Sequence, residues 1–190
     1  MKPNPKETMR PVVSFAPELL LLTQPVKVVF LDVDGVLTDG GLYFSETGES
    51  LKRFSTLDGH GIKLLLQAGI TPVIITGRDS TPLRLRLQAL GIEHAHFGCE
   101  EKHPVAQSVL DSLGLNWSQA AAMGDDWPDL PVMQASAFAC APRNAHAEVL
   151  AVAHFVTQAR GGHGAARELC DLLLVAGGHY RRLLDRYTQP

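Results

Sequence analysis

The 190-residue sequence has few cysteines, and their placement does not favour cross-linking. The three, Cys99, Cys140 and Cys170, are odd in number, widely separated and without a C-x-x-C pair. Disulfide frameworks and structural zinc sites normally show paired, closely spaced cysteines. The pattern argues against both and fits a reducing compartment, so we expect a cytoplasmic protein.

Long apolar runs and an excess of basic charge are also missing. No window approaches the roughly 18 to 20 consecutive apolar residues of a membrane-spanning helix. A signal peptide is disfavoured because Pro17 and Glu18 interrupt the first apolar stretch and no small-residue cleavage site follows. The formal net charge is −3, whereas proteins that bind nucleic acid or anionic membranes usually show a basic excess. We therefore expect neither nucleic acid nor a membrane as a partner.

The composition that is present is that of an ordinary folded domain. Hydrophobic residues make up 45% of the chain and charged residues 19%, far from the composition of disordered proteins. The length suits one domain with a substantial core and is too short for two of ordinary size. We predict an N-terminal extension over residues 1–25 that frays over its proline-containing start, one domain over 26–178, and a C-terminal tail over 179–190.

Short apolar runs alternate with helix-length segments along most of the chain. The runs lack apolar–polar alternation and therefore fit strands buried on both faces of a parallel sheet. They lie at 26–33, 70–77, 120–124, 137–141 and 154–157. Helices are predicted over 59–68, 81–90 and 104–113, each followed by a glycine that can end it. The alternation predicts an α/β fold, with a Rossmann-like open, mainly parallel sheet and helices on both faces. Residues 42–55 predict a β-hairpin flap.

Carboxylates and a hydroxyl end three of the predicted strands. They are Asp32 and Asp34, Thr76, and the pair Asp125 and Asp126. Ligands of open α/β sheets bind beyond the carboxyl ends of the strands, so these groups are expected to share one edge. Hard oxygen donors suit Mg²⁺, and Lys102, just before a predicted helix, can add a positive charge.

Simpler explanations exist for single residues of this set. An isolated Asp or Thr at a strand end is often a turn former. A calcium-binding loop is excluded because Gly35 stands fourth from Asp32 rather than sixth, and Tyr43 stands where that loop needs glutamate. The placement of all these groups at strand ends favours one joint site.

Four strings occur in the order and at the separations of the four motifs of the haloacid dehalogenase superfamily. They are DVDGVLTDG from Asp32, ITGR ending at Arg78, Lys102, and GDDWPD ending at Asp129. The chain resembles that superfamily over about residues 26–178. The strings GESLKRFSTLDGHGI at 48–62 and RGGHGAARELCDLLL at 160–174 resemble its capless sugar-acid phosphatases. The resemblance implies a phosphatase that hydrolyses 3-deoxy-D-manno-octulosonate 8-phosphate in lipopolysaccharide precursor synthesis.

The resemblance also implies a role for each motif residue. Asp32 would attack phosphorus to form an aspartyl-phosphate, and Asp34 would protonate the leaving alkoxide and then activate water. Mg²⁺ would bind the carboxylates of Asp32 and Asp125 and the backbone carbonyl of Asp34, while Thr76 and Lys102 would hold phosphoryl oxygens. The remaining aspartates of the last motif would support these residues. Asp126 would orient a metal-bound water, and Asp129 would orient Lys102.

The motif spacing leaves no room for a cap domain over this site. Only 42 positions separate Asp34 from Thr76, and only 26 separate Thr76 from Lys102. An uncovered site offers little surface for selecting a substrate. The resemblance implies that a homotetramer supplies the missing wall through packed hairpins and C-terminal segments.

Further residues are implied in binding the sugar acid. Guanidinium groups pair well with carboxylates, which favours Arg78 and Arg86, although Arg86 could also be a solvated helix residue. Leu57 is a departure, since related sequences often carry arginine there. The substrate-binding set comprises Asp34, Ser55, Thr56, Leu57, Asp58, Gly59, Thr76, Gly77, Arg78, Arg86 and Lys102.

Three alternatives to this function stay open. A phosphatase of nine-carbon sialic-type 9-phosphates is one, although those relatives often carry glutamate where this chain has Arg78. A phosphotransferase or mutase could use the same aspartyl-phosphate, but an aspartate at position 34 favours hydrolysis. A non-catalytic scaffold is disfavoured because all four motif positions are intact.

Overall fold

A computed structural model describes residues 11–188 of the chain. Its helices are α1 (Pro17–Thr23), α2 (Thr56–Gln67), α3 (Thr81–Leu90), α4 (Lys102–Leu113), α5 (Leu130–Ala135), α6 (Ala147–Val152), α7 (Ala165–Ala176) and α8 (Tyr180–Thr188). Its strands are β1 (Val28–Leu31), β2 (Tyr43–Ser45), β3 (Gly48–Leu51), β4 (Thr71–Ile75), β5 (His94–His96), β6 (Ala120–Met123), β7 (Phe138–Ala141) and β8 (Phe155–Val156). Most of the predicted frayed start, over residues 1–10, and the last two residues of the predicted tail lie outside the described residues.

Six strands form one parallel sheet in the order β5-β4-β1-β6-β7-β8. The register places Leu31 of β1 beside Ile74 of β4 and Met123 of β6, so these three strands end at the same level. Every residue of β1, β6 and β7 is buried, which explains why their sequences are apolar without alternation. The predicted α/β fold with a parallel sheet is confirmed.

Helices cover both faces of this sheet. Val29 and Leu31 of β1 belong to a core shared with α1, α2, α3, α7 and α8, whereas Val28 and Phe30 point to a second core with α4, α5 and α6. Successive side chains of a strand alternate between faces, so one short apolar run supplies both cores. Helices α1 and α8, inside the predicted extension and tail, pack on the first core, and the domain boundaries at 26 and 178 stay a prediction. None of the helices within residues 11–188 combines the length and the apolar composition that crossing a membrane requires.

Two helices near the sheet edge begin earlier than predicted. Helix α2 starts at Thr56 rather than 59, because the Ser55 hydroxyl accepts a hydrogen bond from the Leu57 N–H at 3.2 Å and caps the helix. Helix α4 starts at Lys102 rather than 104, since a proline in the first turn removes no hydrogen bond that the helix needs. Lys102 is thereby fixed by helical backbone at the edge where β1 ends.

Strands β2 and β3 form a separate antiparallel hairpin with its turn at Glu46 and Thr47. This confirms the predicted hairpin. It is the only regular structure between β1 and α2, so no cap domain is inserted there, as predicted. Its apolar side chains Phe44 and Leu51 are exposed by 63% and 55%.

Candidate active site

An open cleft of about 450 Å³ lies at the carboxyl edge of the sheet, where β1, β4 and β6 end. All five residues predicted for catalysis and metal binding lie there. The cleft is lined by Asp32, Asp34, Thr76, Gly77, Arg78, Cys99, Glu100, Lys102, Asp125, Asp126, Pro128 and Asp129. The sheet register produces this convergence, because residues directly after aligned parallel strands emerge at one level.

Lys102 is the centre of a buried ion-pair network in the floor of the cleft. Its Nζ donates to Asp32 Oδ1 at 2.5 Å and to Asp129 Oδ1 at 2.6 Å, and all three side chains are less than a tenth exposed. Burial lowers the pKa of Lys102, but the two carboxylates outweigh burial and raise the pKa above its usual value. The ammonium group therefore stays charged and holds the Asp32 carboxylate in place.

Asp32 and Asp125 are carboxylates whose ionisation is opposed by their surroundings. Burial, followed by repulsion from Asp129, raises the pKa of Asp32 to about 7. Burial, followed by repulsion from Asp32, raises the pKa of Asp125 to about 8. Oxygens of Asp32, Asp125 and Asp129 lie within 4.8 Å of one another. Crowded hard oxygen donors of this kind are stabilised by a divalent cation, so the residues fit Mg²⁺.

Asp129 differs from the other two carboxylates because both of its oxygens are already engaged. Oδ1 accepts from Lys102, while Oδ2 accepts from the backbone N–H of Asp125 at 3.0 Å and of Asp126 at 3.3 Å. The Asp126 carboxylate is exposed and accepts from the N–H of Trp127 at 2.8 Å. Asp32 and Asp125 are therefore the carboxylates best placed to offer oxygen to a metal, with Asp129 supporting them.

Two glycines make room for these carboxylates. A Cβ on Gly35, whose φ is +98°, would lie 2.0 Å from Asp125 Oδ2, and a Cβ on Gly124 would lie 2.2 Å from Asp129 Cβ. The loop containing Gly162 packs on the other side of the Gly35 loop, where the Gly162 N–H donates to Val36 O at 2.9 Å. The loop after β1 is thus held from both sides, which fixes the residues that it carries.

Asp34 contacts the hairpin rather than the floor of the cleft. Its Oδ1 accepts a hydrogen bond from Lys52 Nζ, which also lies 3.0 Å from Glu49 Oε1. Arg78 Nε lies 3.9 Å from Asp34 Oδ2 and 3.7 Å from Glu49 Oε2. Sequence reasoning missed Glu49 and Lys52. Both stand in the string at 48–62, but only tertiary packing separates them from the other charged residues there.

Thr76 and Gly77 lie where β4 ends, as predicted. The Thr76 hydroxyl accepts a hydrogen bond from the Arg78 N–H at 3.3 Å, and the Thr76 N–H donates to His96 O at 3.0 Å. Thr76 is buried at the base of the cleft, so its hydroxyl has a fixed direction.

The residues predicted for the sugar side, 55–59 and Arg86, are not among those that line this cleft. Asp58 is buried and caps α7, accepting from the N–H of Gly164 at 3.2 Å and of Arg167 at 2.8 Å. Arg86 donates to Ser55 O at 3.1 Å, and its Nη2 occupies the space beside Gly59. Thr56 and Leu57 form the exposed first turn of α2. Substrate contact by residues 55–59 and by Arg86 stays a prediction.

Comparison with known proteins gives a consistent result. A haloacid dehalogenase-like hydrolase family model matches residues 101–169. The 3-deoxy-D-manno-octulosonate 8-phosphate phosphatase of Yersinia pestis is 41% identical over 151 residues, which cover 80% of this chain and 81% of the relative. The enzyme of the same name from Salmonella typhimurium is 39% identical over 163 residues, covering 86% and 87%.

A solved structure agrees with the sequence relatives. The crystal structure of the Moraxella catarrhalis 3-deoxy-D-manno-octulosonate 8-phosphate phosphatase, in complex with magnesium, phosphate and KDO, matches with a TM-score of 0.88 and 33% identity, covering 91% of this chain and 99% of that chain. The resemblance to the superfamily is thus confirmed, and the chain belongs to the 3-deoxy-D-manno-octulosonate 8-phosphate phosphatases, a family of haloacid dehalogenase-like hydrolases.

Proposed function

We propose that this protein hydrolyses 3-deoxy-D-manno-octulosonate 8-phosphate to 3-deoxy-D-manno-octulosonate and phosphate, a step of lipopolysaccharide precursor synthesis. The observation that carries the proposal is the buried Asp32–Lys102 pair in a cleft that also holds Asp34, Thr76 and Asp125. That cleft belongs to a chain about 40% identical to phosphatases of this name.

Asp32 is the nucleophile in this proposal. One of its oxygens bonds to phosphorus as the bond from phosphorus to the sugar oxygen breaks, and Asp34 gives its proton to the leaving alkoxide. Water then attacks the aspartyl-phosphate while Asp34 takes a proton from it. The bond from phosphorus to Asp32 breaks, phosphate leaves, and both carboxyl groups return to their starting states.

Mg²⁺ is the cofactor of the proposed reaction, and the crowded carboxylates of the cleft support it. When bound, the ion supplies positive charge that eases the approach of an anionic nucleophile to an anionic phosphate. The carboxylates of Asp32 and Asp125 and the backbone carbonyl of Asp34 would hold it. Asp126 would orient a water of the metal, and Asp129 orients Lys102 through its 2.6 Å contact.

Substrate binding divides between the two ends of the sugar acid. Thr76, Gly77 and Lys102, which line the cleft, would surround the phosphoryl group, and the partly exposed side chain of Arg78 would pair with the carboxylate at the other end. Residues 55–59 and Arg86 would line the sugar side in the assembled enzyme.

The assembly is a homotetramer in this proposal, with the hairpins packed together over the cleft. The exposed apolar side chains of the hairpin support it, since they would be covered by other subunits. They are Leu42, Tyr43, Phe44 and Leu51. A cytoplasmic location is supported by the three free cysteines.

Steady-state kinetics with two substrates test the proposed activity. Purified protein with Mg²⁺ should release phosphate from the eight-carbon 8-phosphate with a higher kcat/KM than from a nine-carbon sialic-type 9-phosphate. Equal values would remove the eight-carbon assignment. Phosphate transferred to another acceptor without release would instead support a phosphotransferase or mutase.

Light scattering coupled to size exclusion tests the assembly. A tetramer is expected at concentrations where the protein is active. A fully active monomer would contradict the proposal, because the cleft would then need no wall from another subunit.

A further inference from the structure

The hairpin shows the reverse of the usual burial pattern. Its apolar side chains are exposed, whereas two charged side chains face the protein: that of Lys52 is 1% exposed and that of Glu49 is 11% exposed. Desolvating a charge is costly, so such residues are rarely buried without a specific partner. The hairpin therefore carries an inward polar face that its own folding does not explain.

The partner of that inward face is Asp34. Lys52 Nζ donates to Asp34 Oδ1 and lies 3.0 Å from Glu49 Oε1, so Glu49 holds the ammonium from the hairpin side. Thr38 Oγ1 lies at 3.5 Å from the same Asp34 oxygen. The other oxygen, Asp34 Oδ2, is buried and accepts no hydrogen bond from the described residues. The two oxygens of one carboxylate are thus in different states: Oδ1 accepts a hydrogen bond from Lys52, whereas Oδ2 accepts none within residues 11–188 and has Arg78 Nε at 3.9 Å.

We infer that Lys52 is a positioning residue for Asp34, which it fixes through Oδ1 so that Oδ2 is the oxygen that exchanges the proton with the sugar oxygen and with water. The inference rests on the proposed function of Asp34. In the first step the proton leaves Oδ2 for the leaving alkoxide as the phosphorus–oxygen bond breaks. In the second step Oδ2 takes a proton from the attacking water.

The alternative is that Lys52 only anchors the hairpin. An anchor would not need to engage a residue of the loop after β1, because Lys52, which directly follows β3, already has Glu49 of that strand as a partner. An anchor also would not distinguish substrates by their leaving groups. Loss of the anchor would lower activity on every phosphate ester to a similar degree.

Substrates with different leaving groups separate these roles. A sugar alkoxide needs a proton as it leaves, whereas the phenolate of p-nitrophenyl phosphate does not. The value of kcat/KM reports the first phosphoryl transfer. For Lys52→Met we expect kcat/KM with the sugar phosphate to fall about 100-fold, the low end of general-acid contributions. With p-nitrophenyl phosphate the decrease should be about tenfold or smaller.

Matched variants control this measurement. Lys63→Met removes an exposed lysine from α2 and should leave both substrates unchanged. Lys52→Arg keeps a donor for Asp34 and Glu49, so it should recover most of the loss on the sugar phosphate. Mg²⁺ affinity by calorimetry and the thermal unfolding midpoint should show that Lys52→Met keeps a folded site. If Lys52→Met does not fold, the two substrates are compared with the Glu49→Gln/Lys52→Met double variant instead. That variant leaves one fewer unpaired buried charge.

Asp34→Asn distinguishes failure of the inference from failure of the proposed function. It should show the same selective loss, and adding Lys52→Met to it should cost little more, because both changes act on one group. An equal loss on both substrates for Lys52→Met, with a selective loss for Asp34→Asn, would overturn the inference alone. An equal loss on both substrates for Asp34→Asn would overturn the acid role of Asp34 itself.

Discussion

The carboxyl edge of the sheet and the hairpin above it are built in opposite ways. At the edge, Asp32 and Lys102 are buried and bonded to each other on backbone fixed by β1 and α4. The hairpin strands pair with each other and not with the six-stranded sheet, and they expose Phe44 and Leu51. Lys52, directly after the second strand, donates a hydrogen bond to Asp34 in the site. A rigid edge suits phosphoryl transfer, which depends on accurate placement of charge. The hairpin is better suited to the proposed roles of positioning Asp34 and packing against other subunits.

Removing Asp32, the proposed nucleophile, should give the largest effect and leave the hairpin unchanged. Asp32→Asn cannot form the acyl phosphate, so we expect kcat to fall on the order of 10⁴-fold or more. Released phosphate measures the loss, and circular dichroism should show an unchanged fold. Turnover within tenfold of the wild type would remove Asp32 from this role.

Breaking the buried network at the edge should affect activity and stability together. Lys102→Met leaves Asp32 and Asp129 without their cation, which should lower the free energy of unfolding by about 3–5 kcal/mol. In its proposed role Lys102 also stabilises charge on the phosphoryl group, so its loss should lower kcat about 10²–10³-fold. Urea unfolding and phosphate release measure the two effects, with Lys63→Met as the control. An unchanged unfolding midpoint would show that the network does not stabilise the fold.

The stability of the metal-free protein should depend on pH through the carboxylates of the edge. Burial raises the folded-state pKa of Asp125 to about 8, well above the ordinary aspartate value of 3.8. Its contribution to stability is therefore fully present below about pH 4 and is lost as pH rises through about 8. Asp32, with a pKa of about 7, acts in the same direction.

Thermal unfolding between pH 4 and 9 tests this dependence in chelator. The midpoint of the wild type should fall with rising pH more steeply than that of Asp125→Asn. Added Mg²⁺ should raise the wild-type midpoint most at high pH, since it binds the ionised carboxylates. Parallel curves for the two proteins would contradict the raised pKa of Asp125.

A change on the outer face of the hairpin should have the smallest effect on folding. Phe44 is largely exposed, so Phe44→Ser should change the free energy of unfolding of one subunit by less than about 0.5 kcal/mol. The same change should weaken the proposed tetramer, which light scattering at decreasing concentration measures. An unchanged assembly would place the subunit interface elsewhere.

Much of the edge followed from the sequence, because Asp32, Asp34, Thr76 and Asp125 stand at the ends of apolar runs. Burial on both faces leaves a local pattern at 26–33 and 70–77, and parallel pairing then brings the ends of the runs together. The inward face of the hairpin left no such pattern. Lys52 contacts a residue 18 positions away and stands among other charged residues, so only packing identifies it.

The sequence by itself determined the α/β fold, the family and the group of side chains at the sheet edge, since apolar runs and short motifs are local properties. Tertiary structure decided how the polar groups pair. Asp58 caps a helix through Arg167, 109 positions away, and the two oxygens of Asp34 differ because Lys52 reaches only one of them. Such pairings depend on how distant segments pack, and side-chain chemistry alone does not specify which of several charged residues is brought within hydrogen-bonding distance.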